Sequence, residues 1–146
     1  MPLNKQGIRR LADMLVANKK LYSQQTFGRQ NECGTTCCLA GFCLLEEVGR
    51  RKFKTLIGKD DFAKDCTKAG RKLLGIRTSD PALFNSLDCW PEDLASEYWA
   101  NGPRGRVTVA LKALQRLLPS GRIDPDPKAV HTRLSQLKLL IKGKQI

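Results

Sequence analysis

The chain is poor in the side chain that most often moves protons at neutral pH. His131 is the only histidine among 146 residues. That excludes a site built on two imidazoles and leaves a single candidate histidine base. Long apolar runs are missing too, and none approaches the ~20 residues needed to cross a bilayer. The N-terminus Met1-Pro2-Leu3-Asn4-Lys5-Gln6 lacks the apolar stretch of a secretory signal. The expectation is therefore a cytoplasmic protein with reduced cysteines. No phosphate-binding loop, dinucleotide fingerprint or β-hairpin signal stands out. Positive charge is absent from residues 78–102, which carry 5 acidic side chains and no Lys or Arg.

Elsewhere cations dominate. The net charge is +12. Residues 50–77 hold 10 basic and 3 acidic side chains, and residues 103–146 hold 10 and 2. Two basic segments thus flank an acidic one. A basic excess of this size favours polyanionic partners, nucleic acid or a nucleoprotein complex above all. A solvated surface that keeps a small protein soluble is the plainer explanation. Two clusters are the candidate phosphate contacts: Arg50, Arg51, Lys52 and Lys54, read as an exposed basic turn, and Lys138, Lys142 and Lys144 near the C-terminus. Phe53, inside the first cluster, is a candidate for stacking on an unpaired base. Few base-reading features are visible, so backbone or shape recognition is expected, without a preference for DNA or RNA.

Helical periodicity accounts for most of the chain. Ile8, Leu11, Leu15 and Val16 form one stripe over 4–18, with Asn4 as its cap. A central helix is expected over about 36–48, capped by Thr35 or Thr36 and stopped by Gly49. Phe62, Cys66, Ala69 and Leu73 mark a helix over 60–74 that ends at Gly75. Ser79-Asp80-Pro81 predicts a cap and a short turn carrying Leu83 and Phe84. Trp90-Pro91 opens a helix that would bury Leu94, Tyr98 and Trp99, and Asn101-Gly102-Pro103 breaks it. A helix over 106–118 and a last one from Asp126-Pro127 to about Ile141 complete an all-α reading. The connection over 21–34 is anchored by Tyr22 and Phe27. The whole is one compact multi-helix domain, 1–146, around the buried central helix.

Four of the six cysteines fall between Cys33 and Cys43. As small apolar side chains they suit a core, and Cys33 and Cys38 are expected to be structural thiols at the start of the central helix. Zinc would need a second ligand pair to go with Cys33 and Cys37, and Cys66, Cys89 and His131 stand alone. No metal or cofactor is expected. A papain-like thiol enzyme would pair Cys33 or Cys38 with His131 as base. No Asp, Asn or Glu follows His131 to orient it, although Asp124 and Asp126 precede it. The chain is therefore expected not to be an enzyme.

Cys33-Gly34-Thr35-Thr36-Cys37-Cys38-Leu39-Ala40-Gly41 carries the pattern C-G-T-x-x-C-x-A-G. It resembles a family of small uncharacterised phage and bacterial proteins marked by that motif. Ala69 through Leu74-Gly75-Ile76, Leu83-Phe84, Trp90-Pro91 and Arg106 through Gly121-Arg122-Ile123-Asp124 resemble further landmarks of the family. The chain departs from it in having Cys37 where a small residue is usual, in its basic charge and in its added C-terminal segment. The resemblance implies a helical fold and a phage or accessory-gene setting, with no catalytic residue to transfer. The resemblance implies no known activity; a second function class weighed beside nucleic-acid binding is a phage-type inhibitor or adaptor that grips a host or defence protein. The contact would be the acidic 78–102 segment with Trp90, Tyr98 and Trp99.

Overall fold

The computed structural model describes residues 3–24, 29–31, 34–76, 82–84 and 87–131. Among them are five α-helices: α1 (Lys5–Ala17), α2 (Leu39–Leu56), α3 (Phe62–Leu74), α4 (Glu92–Ala100) and α5 (Pro103–Gln115). The fold is all-α, with one small addition. Two three-residue strands, β1 (Arg29–Asn31) and β2 (Gly34–Thr36), pair antiparallel with Arg29 opposite Thr36. This ribbon corrects the expectation of no hairpin. Its strands are too short to build an alternating pattern, which is why periodicity does not reveal it.

Capping explains the helix ends. Asn4 caps α1, its side-chain oxygen accepting from Gly7 N at 3.2 Å. Gly75 closes α3 in the left-handed region (φ 71°), and Ile76 N donates to Arg71 O at 3.0 Å. Ile76 is buried, as the hydrophobic partner of that stop should be.

The central helix departs from expectation at both ends. It starts at Leu39, not near residue 36, because Thr36 is drawn into β2 and Cys38 takes the cap position. Neither Thr35 nor Thr36 is the cap. At the other end, Gly49 breaks the helix as expected, with φ 85° and ψ 162°, a conformation open to glycine. A second helical segment then continues to Leu56 on a new axis. The stretch Arg50 to Lys54 is therefore helix, not turn. Phe53, Leu56 and Ile57 fall at i, i+3 and i+4 and turn inward. Phe53 packs edge-on against Phe62 of α3 (ring centroids 5.5 Å). Buried there, it is unavailable to a base, which corrects the stacking expectation for this residue.

The core is one continuous cluster joining all five helices and the 3-10 turns. Ile8, Leu11 and Leu15 of α1, Leu39, Phe42 and Leu44 of α2, and Leu111 and Leu114 of α5 lie within it. Trp90, Leu94 and Tyr98 are buried as expected, but Trp99 is 55% exposed. The helix read over 106–118 begins earlier, at Pro103, and ends at Gln115. Residues 127–128 are turn, residues 129–131 are irregular, and Val130 is exposed, so no helix starts at Asp126-Pro127. Asp126 instead accepts from Lys128 N at 2.9 Å, closing a local turn. Phe27, Ser79-Asp80-Pro81 and the rest of the expected C-terminal helix lie outside the described residues.

Gln24 is 3% exposed and ties four elements together. Its backbone N–H donates to Tyr98 Oη (3.0 Å), its Nε2 donates to Leu83 O (3.2 Å), and its Oε1 accepts from Tyr22 Oη (3.0 Å) and Leu39 N (3.4 Å). Removing the amide strands buried partners on three of those elements. We expect Gln24→Ala to lower unfolding free energy by about 2–4 kcal/mol, since each orphaned buried group costs about 1–3 kcal/mol. Chemical denaturation with an unchanged m-value checks this, and a change under about 1 kcal/mol would contradict it.

Candidate nucleic-acid interface

The helical segment after Gly49 sorts its side chains by chemistry. Phe53 is buried, while Arg50, Arg51, Lys52 and Lys54 are exposed. The expected cluster is thus present on the surface and held on a helix by the Phe53 anchor. Arg50 reaches back to α1, its Nη2 donating to Asn18 Oδ1 at 3.1 Å. The neighbouring helix α3 adds exposed Lys64, Lys68 and Lys72. Lys72 meets Glu47 at 3.6 Å, with both side chains open to solvent, a pair worth little. The second expected cluster, Lys138, Lys142 and Lys144, lies outside the described residues.

The basic residues of α5 and its C-terminal end behave differently. Arg116 is buried and holds Asp93 of α4 through two hydrogen bonds, at 2.6 and 3.2 Å, while its Nε donates to Asp124 O at 2.8 Å. Lys112 holds both oxygens of Glu97 at 2.7 and 3.0 Å. Arg106 donates to Tyr98 O at 3.1 Å and lies over the Tyr98 ring (4.6 Å) and near the Trp99 ring (5.7 Å). Asp93 and Glu97 of the acidic segment are thereby matched by cations of α5 and its C-terminal end. Arg106, Lys112 and Arg116 of the second basic block are all engaged with α4.

Sequence reasoning does not find Trp99 as a surface residue, nor Lys19, Lys20 and Arg104 as neighbours across a groove. The signal for Trp99 is its place about 100° round the helix from Tyr98, off the narrow face that Leu94 and Tyr98 (i, i+4) bury. Nothing in sequence spacing joins residues 19–20 to 104.

The thiols form a separate feature. Cys37, Cys38, Cys43 and Cys66 are buried and unbridged, and Cys89 is exposed and free. Burial pushes the Cys38 thiol up to about 11, against a smaller opposing pull from the backbone N–H groups of Gly41 and Ala40. Burial raises Cys37, Cys43 and Cys66 as well, and negative charge on neighbouring thiols would raise them further. At pH 8, a thiol of pKa about 11 is a thiolate about one part in a thousand, a poor nucleophile. His131 Nε2 lies 3.5 Å from Asp124 Oδ2, so an orienting carboxylate comes from the preceding residues. Among the described residues, His131 and Cys38 share no hydrogen bond or charge contact, and no three potential ligands gather as a metal site. Cys33 lies outside the described residues. No helix among them is long and apolar enough to cross a membrane. Comparison with protein-family models, curated proteins and solved structures finds no match to this chain.

The buried thiols generate two testable outcomes. Iodoacetamide at pH 8 should modify Cys89 well before Cys37, Cys38, Cys43 or Cys66, as peptide mass spectrometry would report; early modification of Cys38 would contradict its burial. Stability should also fall on the alkaline side. Below pH 9 the Cys38 thiol is protonated in both states; between 9 and about 11 the unfolded chain releases a proton that the folded chain keeps. Each such thiol costs about 1.4 kcal/mol per pH unit in that window. Denaturation midpoints at pH 8 and pH 10 should differ less in Cys38→Ala than in the parent.

Proposed function

We propose that this chain is a non-enzymatic basic accessory protein that binds nucleic acid, or a nucleoprotein complex, through phosphate contacts. The observation that supports this most is the helix after Gly49, where Arg50, Arg51, Lys52 and Lys54 are all exposed beside one buried aromatic anchor. A helix holds cations at fixed spacing, which suits a polyanion of regular charge. Exposed lysines of α3 widen the same basic stretch. The contacts are to backbone phosphate, which positions a protein without reading sequence. The resemblance carried by the C-G-T-x-x-C-x-A-G motif suggests a phage or accessory-gene setting, in the cytoplasm.

A second reading rests on Trp99. A tryptophan 55% exposed on α4 suits a protein partner, since tryptophan is enriched among residues that dominate binding energy. Trp90 and Tyr98 are buried and drop out of that surface. In this reading the chain is an inhibitor or adaptor for a host or defence protein.

A salt titration separates the two. Binding to duplex and single-stranded oligonucleotides should weaken linearly on a log–log plot, with a slope of about −0.9 per phosphate neutralised on duplex DNA. Changing Arg50, Arg51, Lys52 and Lys54 to Ala should make that slope shallower by several such steps. No binding at low salt, or an unchanged slope, would move the assignment to the Trp99 surface. Trp99→Ala should then abolish capture of a stoichiometric, nuclease-resistant partner.

A further inference from the structure

An open groove of about 800 Å³ separates the end of α1 from the start of α5. Lys19 and Lys20 line one side of it and Arg104 the other, with no carboxylate among its described lining residues. Val16 and Leu21 also line it, and both pack against the core, so it has an apolar patch as well as a charged rim. α5 starts at this groove. Its cap is Gly102, which has no side chain to satisfy the first turn, and that turn holds no acidic residue. The N–H groups of Arg104 and Gly105, at the second and third helical positions, therefore have no acceptor within the helix. The end of α1 also borders the groove, and there Asn18 N and Nδ2 both donate to Met14 O, at 3.0 and 2.9 Å, so that carbonyl is satisfied.

A second groove, of about 530 Å³ at the start of α1, makes an instructive contrast. It is lined by Lys5, Arg9 and Arg10, but it also contains Asp13. Arg9 pairs with Asp13, Arg10 with Glu46, and Asn4 caps the helix. Its charge and its helix end are matched internally. In the first groove no described lining side chain carries a matching negative charge, and at its helix end Asn101 Oδ1 lies against Gly105 as the one neutral acceptor the structure places there.

We propose that the groove between α1 and α5 binds a nucleoside phosphate, with the phosphate between Lys19, Lys20 and Arg104 at the start of α5 and the base against Val16 and Leu21. Charge-assisted hydrogen bonds and the helix N-terminus favour the phosphate, and the apolar patch favours a planar base over water. The ligand has two candidate sources, a free mononucleotide or the phosphorylated 5′ end of a strand. The second source rests on the nucleic-acid reading of the basic helix. Asn18 joins the two regions, since it lines the groove and accepts from Arg50 of that helix.

Calorimetry or NMR titration with AMP, adenosine and inorganic phosphate tests the site, using the full chain. AMP should bind about tenfold or more tightly than adenosine, and inorganic phosphate should compete with it. Arg104→Glu, at an exposed position, should weaken AMP by at least about tenfold. Arg122→Ala, which removes an exposed cation off the groove, should leave AMP binding unchanged. Tighter binding of a 5′-phosphorylated oligonucleotide than of its 5′-hydroxyl twin would identify the strand end as the source; equal binding, with AMP bound, would identify the free nucleotide. No AMP binding at low salt, adenosine equal to AMP, or an indifferent Arg104→Glu would overturn the site. Salt-dependent oligonucleotide binding could survive that failure, and AMP binding could survive loss of oligonucleotide binding, so the two readings fail separately.

Discussion

One buried amide holds the architecture in register. Gln24 sits in the connection after α1, yet it bonds to Tyr22, Leu39, Leu83 and Tyr98. Those partners belong to the connection itself, the start of α2, a 3-10 turn and α4. Apolar packing alone is tolerant of sliding, because area burial has no direction. A buried residue whose amide holds three partners and whose backbone N–H holds a fourth is not tolerant, since any shift leaves one of them unpaired at full desolvation cost. The start of α2 depends on this directly: its cap residue Cys38 makes no side-chain cap bond, and the Leu39 N–H turns to Gln24 instead. Tyr22 and Tyr98 meet edge-on at 6.2 Å around the same point, so polar and aromatic contacts fix one geometry.

That register decides where charge ends up. With Tyr98 pinned, α4 presents Asp93 and Glu97 toward α5, and Arg116 and Lys112 neutralise them. Arg116 is buried, and its two bonds to Asp93 and one to Asp124 O leave its guanidinium well satisfied. The apparent symmetry of two basic blocks around an acidic one is therefore broken in the folded chain. Two of the acidic block's five acids, Asp93 and Glu97, are matched by α5 and its C-terminal end. Among the described residues, exposed positive charge lies along the second half of α2, along α3 and around the groove, as well as at the start of α1. A count of charges per segment could not distinguish cations held by α4 from cations left facing solvent.

Some elements are legible in the sequence because their signals are local. Asn4 before a 3.6-residue stripe, and Gly75 before Ile76, are capping patterns whose physics lies within a few residues, and α1 and α3 appear where those patterns put them. The break at Gly49 is legible for the same reason. The helix beyond it is obscured by composition: three consecutive cations mask Phe53, Leu56 and Ile57, whose spacing is helical. Thr36 reads wrongly as a cap because a hydroxyl suits a cap and a strand alike, and only the partner Arg29 decides between them. The groove between residues 16–21 and 102–105 is beyond local reading altogether, since only tertiary packing sets those segments face to face.

The break at Gly49 is also the feature that joins core to candidate interface. Had the helix run straight on, the stripe of Leu39, Phe42 and Leu45 would have continued at residue 49, with cations spread around the axis after it. With φ at 85° the chain changes direction, Phe53 turns onto Phe62, and the opposite side is left to Arg50, Arg51, Lys52 and Lys54. A side chain larger than hydrogen at position 49 meets no steric neighbour there, so its penalty would come from the backbone conformation alone. The same turn brings Arg50 to Asn18, and Asn18 lines the groove. A single permissive residue thus sets both the exposure of the basic helix and its continuity with the second cationic site.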